Sequence, residues 1–498
     1  MTSQDTPTNQ VQKIFSKSNI KDFTIISAGL GLIILIYHLF SGTLAPVGLQ
    51  PPTPGGNQGP PADMGPVQGP GGMGQIFSFW PIWGVLALPS VLQIILASGI
   101  FLTVGFIIYR YYDSVSSKFV GIVLLSLFSI VLTNIIQGWD VGIVSTIGGG
   151  SEIYQDAISI TSAFDFISNF NAIQSSLSLH AVTQPPGAVL TIYLLYTIFG
   201  DPAGVALGLA IIATVVSLFA LRSIFRHFFS ERTTNYGLLL YAFLPAIQVY
   251  YLANIYAIVA TIAILSLYFY LHQNQIVSYI GTIITTFLGT FVSFLFLVIP
   301  LTFLLNDLLK SFLSEESEAR SFLNRLLKNL LKPVSILVSI ILLYGILYVV
   351  FGFNYIEAFL TASASENPNG FMLLASPAEY VITRIEDILD ILVFLGPVLI
   401  AFCYRGLQLV RSDGISKERK DMMILVMSAF VALFLLFLTG APKKGETARI
   451  CMFILPFVLM PVLHFVDEKK YPKSELILLL LVVFAQAVIM QLIGTYLW

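Results

Sequence analysis

The chain has 498 residues, of which 56% are hydrophobic and 10% charged, where a soluble domain carries about 25% charged residues. That balance excludes a soluble globular protein and points to an all-α polytopic membrane protein. The formal net charge of −2 is close to balance, so the distribution of Lys and Arg along the chain says more than their sum.

Lys13, Lys17 and Lys21 precede an apolar stretch, 23–42, that is longer than the roughly 7–15 residues of a signal-peptide core. It reads as an uncleaved first span. Residues 43–75 are rich in Pro and Gly and cannot pack a core; with the first span they form an N-terminal part, 1–85, ending in an external tether. Spans at 86–109 and 119–136 fill the next part, 86–136. The segment 137–200 follows as a large external loop. Its amphipathic patterning (Ile153, Ala157, Ile160, Phe164, then Phe166, Phe170 and Ile173) predicts helices lying in the membrane interface. Its last run, 187–199, is short for a span and reads as interfacial or re-entrant. A transmembrane core is expected over 201–498, with spans at 201–225, 236–252, 253–271, 278–291, 293–308, 333–352, 385–404, 422–439, 450–465 and 475–496. That makes about thirteen transmembrane helices in all, and 278–308 reads either as two short spans or as one bent helix.

With the N-terminus in the cytoplasm, 21 of the 25 Lys and Arg residues fall inside, and 43–85 and 137–200 contain none. The exceptions are Arg384, Lys443, Lys444 and Arg449. The expected localisation is therefore the plasma membrane, multi-pass, with the working face outside.

A carboxylate at a membrane surface acts as a general base on an incoming hydroxyl, and nearby cations clamp an anion. Glu152 and Asp156 are spaced to share one helical face, where like charges raise one pKa. Asp140 follows Trp139, an aromatic of the kind that anchors a span end. Arg384, Asp387 and Asp390 approach one another at the outer end of a span, either as a functional cluster or as a structural ion pair. Lys443, Lys444, Glu446 and Arg449 open a later span. There Arg449 and free backbone N–H groups offer an anion site, or Arg449 simply reaches lipid phosphates. His180 and Gln184 precede the interfacial run, His180 as a satisfied polar residue rather than a metal ligand. Cys403 and Cys451 lie in apolar runs and supply neither a disulfide framework nor metal spacing.

Several of these segments carry a resemblance. Glu152-x-Tyr154 with Asp156 looks like an acidic D-E-x-x-Y loop. Gln184-Pro185-Pro186-Gly187, with Leu190 and Phe199-Gly200, is similar to an H-P-P-(G/L) interfacial helix. Residues 244–271 resemble a helix pair with a central aromatic turn, and 445–457 (GETARICMFILPF) a G-E-x-A-R segment. Together, over 140–457, they resemble the GT-C superfamily of polytopic glycosyltransferases, especially its protein mannosyltransferase-like branch, family 39. The chain departs from that pattern at Ser151-Glu152, where the family has an acidic pair, and at Gln184, where it has His. Its acidic loop also follows a third span rather than a first.

The resemblance implies an inverting glycosyltransferase that uses a polyprenyl-phosphate sugar and a hydroxyl acceptor on a glycan, lipid or protein. It implies Glu152 as base, with Asp156 and Asp140 as the next candidates. Arg449, Lys444, Lys443 and Arg384 would bind the donor phosphate. Tyr154, His180, Gln184, Glu446, Asp387 and Asp390 would contact substrate. No cofactor and no nucleic-acid partner are expected; a divalent metal stays open, and membrane lipids surround the chain. Two other readings are a transporter or flippase of an anionic, lipid-linked substrate, motivated by Asp387, Asp390 and Arg384, and a non-catalytic sugar-lipid binder, motivated by Ser151.

Overall fold

The computed structural model describes residues 13–41, 77–78, 81–82, 84–148, 153–252, 254–313, 319–409, 416–442 and 445–496. Glu152, Lys443 and Lys444 lie outside the described residues, as does most of the Pro/Gly-rich tether.

Helix α1 (Lys17–Ser41) is followed by strands β1 (Phe77–Ser78) and β2 (Gly84–Leu86), which pair antiparallel. Strand β2 also pairs with β3 (Gly494–Tyr496), so the segment entering α2 (Val91–Ser116) is tied to the far end of the sequence. This small sheet is an addition to the expected all-helical architecture. A capping box opens α2: Ser90 accepts from the Gln93 N–H while the Gln93 side chain accepts from the Ser90 N–H. Helix α3 (Phe119–Ile135) completes a hairpin with α2.

Short helices follow: α4 (Ser145–Gly148), α5 (Ile153–Ile158), α6 (Ala163–Ile173), α7 (Leu179–Val182) and α8 (Pro186–Phe199). The bundle continues with α9 (Pro202–Phe228), α10 (Glu231–Phe243), α11 (Pro245–Tyr250), α12 (Ile255–Tyr270), α13 (Gln275–Val292), α14 (Val298–Phe312) and α15 (Ala319–Phe351). It closes with α16 (Tyr355–Glu366), α17 (Met372–Ala375), α18 (Pro377–Leu409), α19 (Lys417–Leu438), α20 (Thr447–Ile450), α21 (Leu455–Lys469) and α22 (Lys473–Ile493).

Among the described residues nine helices are long and apolar enough to cross a membrane, or ten if the pair Phe119–Ile135 and Asp140–Gly148, bent by 119°, counts as one span. Large apolar side chains stand outward on the long helices, Val349 at 82% exposure among them, as lipid-facing residues do. The chain is thus a multi-pass, predominantly helical membrane protein. Two short spans, not one bent helix, occupy 275–312, separated at Ser293, whose backbone is extended.

Four of the thirteen expected spans do not reach that length as single helices. The stretch 236–252 breaks at Leu244–Pro245, where proline supplies no N–H to continue the ladder. Gln248 repairs the break: its amide donates to the Ala242 carbonyl at 2.7 Å and to Ser129 Oγ at 3.0 Å, and accepts from Thr133 Oγ1 at 3.0 Å. Helix α12 is shorter than 253–271, because Asn254 caps it late. The stretch 450–465 opens as irregular turns before α21, and 119–136 bends away at Gly138, φ +94°.

The helices have chemically distinct ends. At one end Arg405 pairs with Asp22, Arg419 with Asp467 and Lys473 with Asp113, while Asn235 donates to the Ser116 carbonyl at 2.7 Å. At the other, Tyr380 Oη donates to the Leu438 carbonyl at 2.7 Å and Gln137 to the Gly494 carbonyl at 2.7 Å. Helix α19 runs from Arg419 at the first end to Phe437 at the second, about 27 Å at 1.5 Å per residue.

Candidate functional site

A small cleft, partly open to solvent, lies among the helix ends opposite those ion pairs. The 145–200 region supplies Ile147, Ile153, Tyr154, His180, Gln184 and Ile192; the start of α12 supplies Asn254, Ile255 and Tyr256; α20 supplies Arg449. Residues from three distant stretches therefore share one wall.

Each is fixed locally. Tyr154 sits on α5, which packs on α8, and its ring meets that of Tyr196 edge-on at 5.9 Å. It is 6% exposed, and burial, with Tyr196 and Asp201 nearby, raises its hydroxyl pKa above the ordinary 10.0, so the group works as a neutral phenol. Asp156, two residues on, is not among the residues that line the cleft. Its carboxylate accepts the Ser178 N–H at 3.1 and 3.3 Å, at the N-terminus of α7, the helix that carries His180. Asp156 therefore ties α5 to the start of α7. Asp140 is exposed, starts a π-helical turn and is not on the cleft wall.

The Gln184-Pro185-Pro186-Gly187 stretch is a helix start. Pro186 occupies the first turn of α8, where a missing N–H costs nothing. A Cβ on Gly187 would lie 2.3 Å from the Phe291 carbonyl oxygen, so only glycine lets α8 seat against the end of α13. That seat delivers Gln184, whose Nε2 donates to the Tyr256 hydroxyl at 2.8 Å. Asn254 caps α12 by accepting the Tyr256 N–H at 2.8 Å.

Arg449 is 4% exposed and pairs with Glu446 at 2.7 Å. Its turn is clamped from below. Asp387 Oδ1 accepts from Thr447 Oγ1 at 2.6 Å, and Asp390 Oδ2 accepts the Ala448 N–H at 2.7 Å; both carboxylates are fully buried. Arg384 lies 3.1 Å from Asp387 and also donates to the carbonyls of Phe437 and Pro442. Arg384, Asp387 and Asp390 thus hold the approach to α20 rather than line the cleft. Gly440 (φ +75°) and Gly445 (φ +69°) supply the left-handed backbone that this reversal requires.

Four of the residues singled out in the sequence, Tyr154, His180, Gln184 and Arg449, meet at the cleft. Glu446 stands behind Arg449 as its ion-pair partner. Asn254 and Tyr256 were not singled out individually. Their signal in the sequence was Asn254 ahead of an apolar run, a helix-cap pattern. Among the described residues no group of three or more His, Cys, Asp or Glu side chains is arranged to hold a metal ion. A buried guanidinium, neutral hydrogen-bonding groups and four isoleucines suit an oxyanion attached to an apolar body. No protein-family model, curated protein or solved structure matches the chain.

Proposed function

We propose that the chain is a membrane glycosyltransferase that moves a sugar from a polyprenyl-phosphate donor to a hydroxyl acceptor on the external face. The observation that carries this reading is the convergence of Tyr154, His180 and Gln184 with Arg449 on one cleft, set at the helix ends away from the Arg405, Arg419 and Lys473 ion pairs. Cytoplasmic helix ends concentrate Lys and Arg, which supports reading the cleft end as external and the N-terminus as cytoplasmic. The likeness of these segments to GT-C enzymes adds support, and the plasma membrane is the proposed location.

In the proposed reaction a carboxylate takes the acceptor's hydroxyl proton as its oxygen attacks the anomeric carbon. The bond from that carbon to the phosphate oxygen breaks, and the electron pair leaves on the polyprenyl phosphate, with inversion. Glu152 is the proposed base, being adjacent in sequence to Ile153 and Tyr154 on the cleft wall. Arg449 meets the charge that develops on the leaving phosphate, an electrostatic contribution that often dominates catalysis. Lys443 and Lys444, close in sequence to Arg449, are proposed to assist it.

The test is sugar transfer from a polyprenyl-phosphate mannose donor by purified protein. Glu152→Gln and Arg449→Ala are each expected to lower turnover at least a hundredfold. Full activity in both variants removes the site assignment. Uptake of the donor into proteoliposomes without transfer would favour the transporter reading instead.

A further inference from the structure

The Gln184–Tyr256 pair has a hydrogen-bonding capacity that the proposed chemistry leaves unused. Gln184 Nε2 donates to the Tyr256 hydroxyl oxygen at 2.8 Å. A phenol carries one O–H donor in addition to its acceptor lone pairs. Among the described residues none accepts from the Tyr256 hydroxyl, so its proton is available to something else. Turning the Gln184 amide end for end would make the phenol the donor to Gln184 and free the amide N–H groups; the pair keeps an unspent donor in both arrangements.

This donor is pre-positioned. The Tyr256 backbone is pinned in the first turn of α12 by Asn254, and the Gln184 N–H is bonded to the Ala181 carbonyl at 3.1 Å just before the Pro185-Pro186 start of α8. Tyr256 is partly exposed and lines the same cleft as Arg449. A cation and a neutral donor line one cleft with Ile147, Ile153 and Ile192 and offer two contacts to the head of an amphiphilic anion.

Building on the reading of this cleft as an anion site, we infer that Tyr256 is a ligand-binding residue. Its phenolic hydroxyl, held by Gln184 as a positioning residue, donates to an oxygen of the phosphoryl group that Arg449 attracts. The phosphoryl group is the shared chemistry, whether carried by a lipid or free in solution.

The experiment titrates the full-length protein in detergent micelles with a C20 polyprenyl monophosphate and, separately, with inorganic phosphate. The variants are Tyr256→Phe, Gln184→Leu, their combination, and Arg449→Ala. Tyr256→Phe is expected to weaken polyprenyl-phosphate binding about tenfold in protein that still melts cooperatively and so remains folded. Gln184→Leu should weaken it less, and the double variant should be no worse than Tyr256→Phe alone, because both changes act on one bond. The same ratio with inorganic phosphate also supports the inference and identifies the phosphoryl group itself as what is recognised. Unchanged binding in Tyr256→Phe, with binding lost in Arg449→Ala, overturns the role of Tyr256 and leaves the anion site standing. Losses that add in the double variant overturn the positioning role of Gln184. Absence of binding by the unaltered protein overturns both the inference and the anion-site reading beneath it.

Discussion

Arg384 and Arg449 are both cations at the same end of the bundle, and their surroundings divide their work. Arg384 is spent on Asp387 and on two backbone carbonyls, and Asp387 is fully buried. Removing one partner of such a pair strands the other charge in a dry interior. Arg384→Ala is therefore expected to cost about 3–5 kcal/mol of stability, read as a fall in melting temperature in detergent. Arg449→Ala also removes a buried side chain, but it leaves behind Glu446, which is partly exposed and can be hydrated, so it should cost less stability than Arg384→Ala while abolishing phosphate binding. If Arg384→Ala instead keeps full stability and loses phosphate binding, Arg384 is a ligand residue and the clamp is misassigned. The sequence carried Arg384, Asp387 and Asp390 as either a functional cluster or a structural ion pair. Helical spacing brings the three together but is silent about Thr447 and Ala448, which reach them from another part of the chain.

At the scale of elements, the α8 start shows why a short motif has the residues it has. Pro186 fixes the first turn, and Gly187 lets that turn approach the Phe291 carbonyl. Gly187→Ala puts a methyl group 2.3 Å from a backbone oxygen that cannot swing aside. It is expected to destabilise the protein by about 1–3 kcal/mol, and also to weaken phosphate binding, because Gln184 moves with the helix start. Circular dichroism melts and the same titrations measure both; wild-type values in each would mean that α8 has room to shift. The short helix here was legible from the proline pair and the limited apolar run. The break inside 236–252 was not, because hydropathy averages over Pro245 and does not see Gln248 satisfying the carbonyl next to the gap.

For the whole molecule, two chemically different ends give a sidedness that can be measured. In a background lacking Cys403 and Cys451, a cysteine at Thr161, exposed between α5 and α6, should react with a membrane-impermeant maleimide in intact cells. A cysteine at Ser117, exposed at the opposite end beside Lys118, should react only after permeabilisation. The reverse pattern would invert the proposed orientation and place the cleft in the cytoplasm.

Apolar content and the clustering of Lys and Arg are sums over the chain, and a bilayer responds to such sums. That is why a multi-pass helical protein could be recognised from the sequence alone. The number of unbroken helices was decided by single residues such as Pro245 and Ser293 in their packed context. The cleft was decided entirely by tertiary structure. Tyr154, Gln184, Tyr256 and Arg449 are brought together by α8 seating on α13 and by two buried carboxylates holding α20, contacts between segments far apart in the chain that no local spacing encodes.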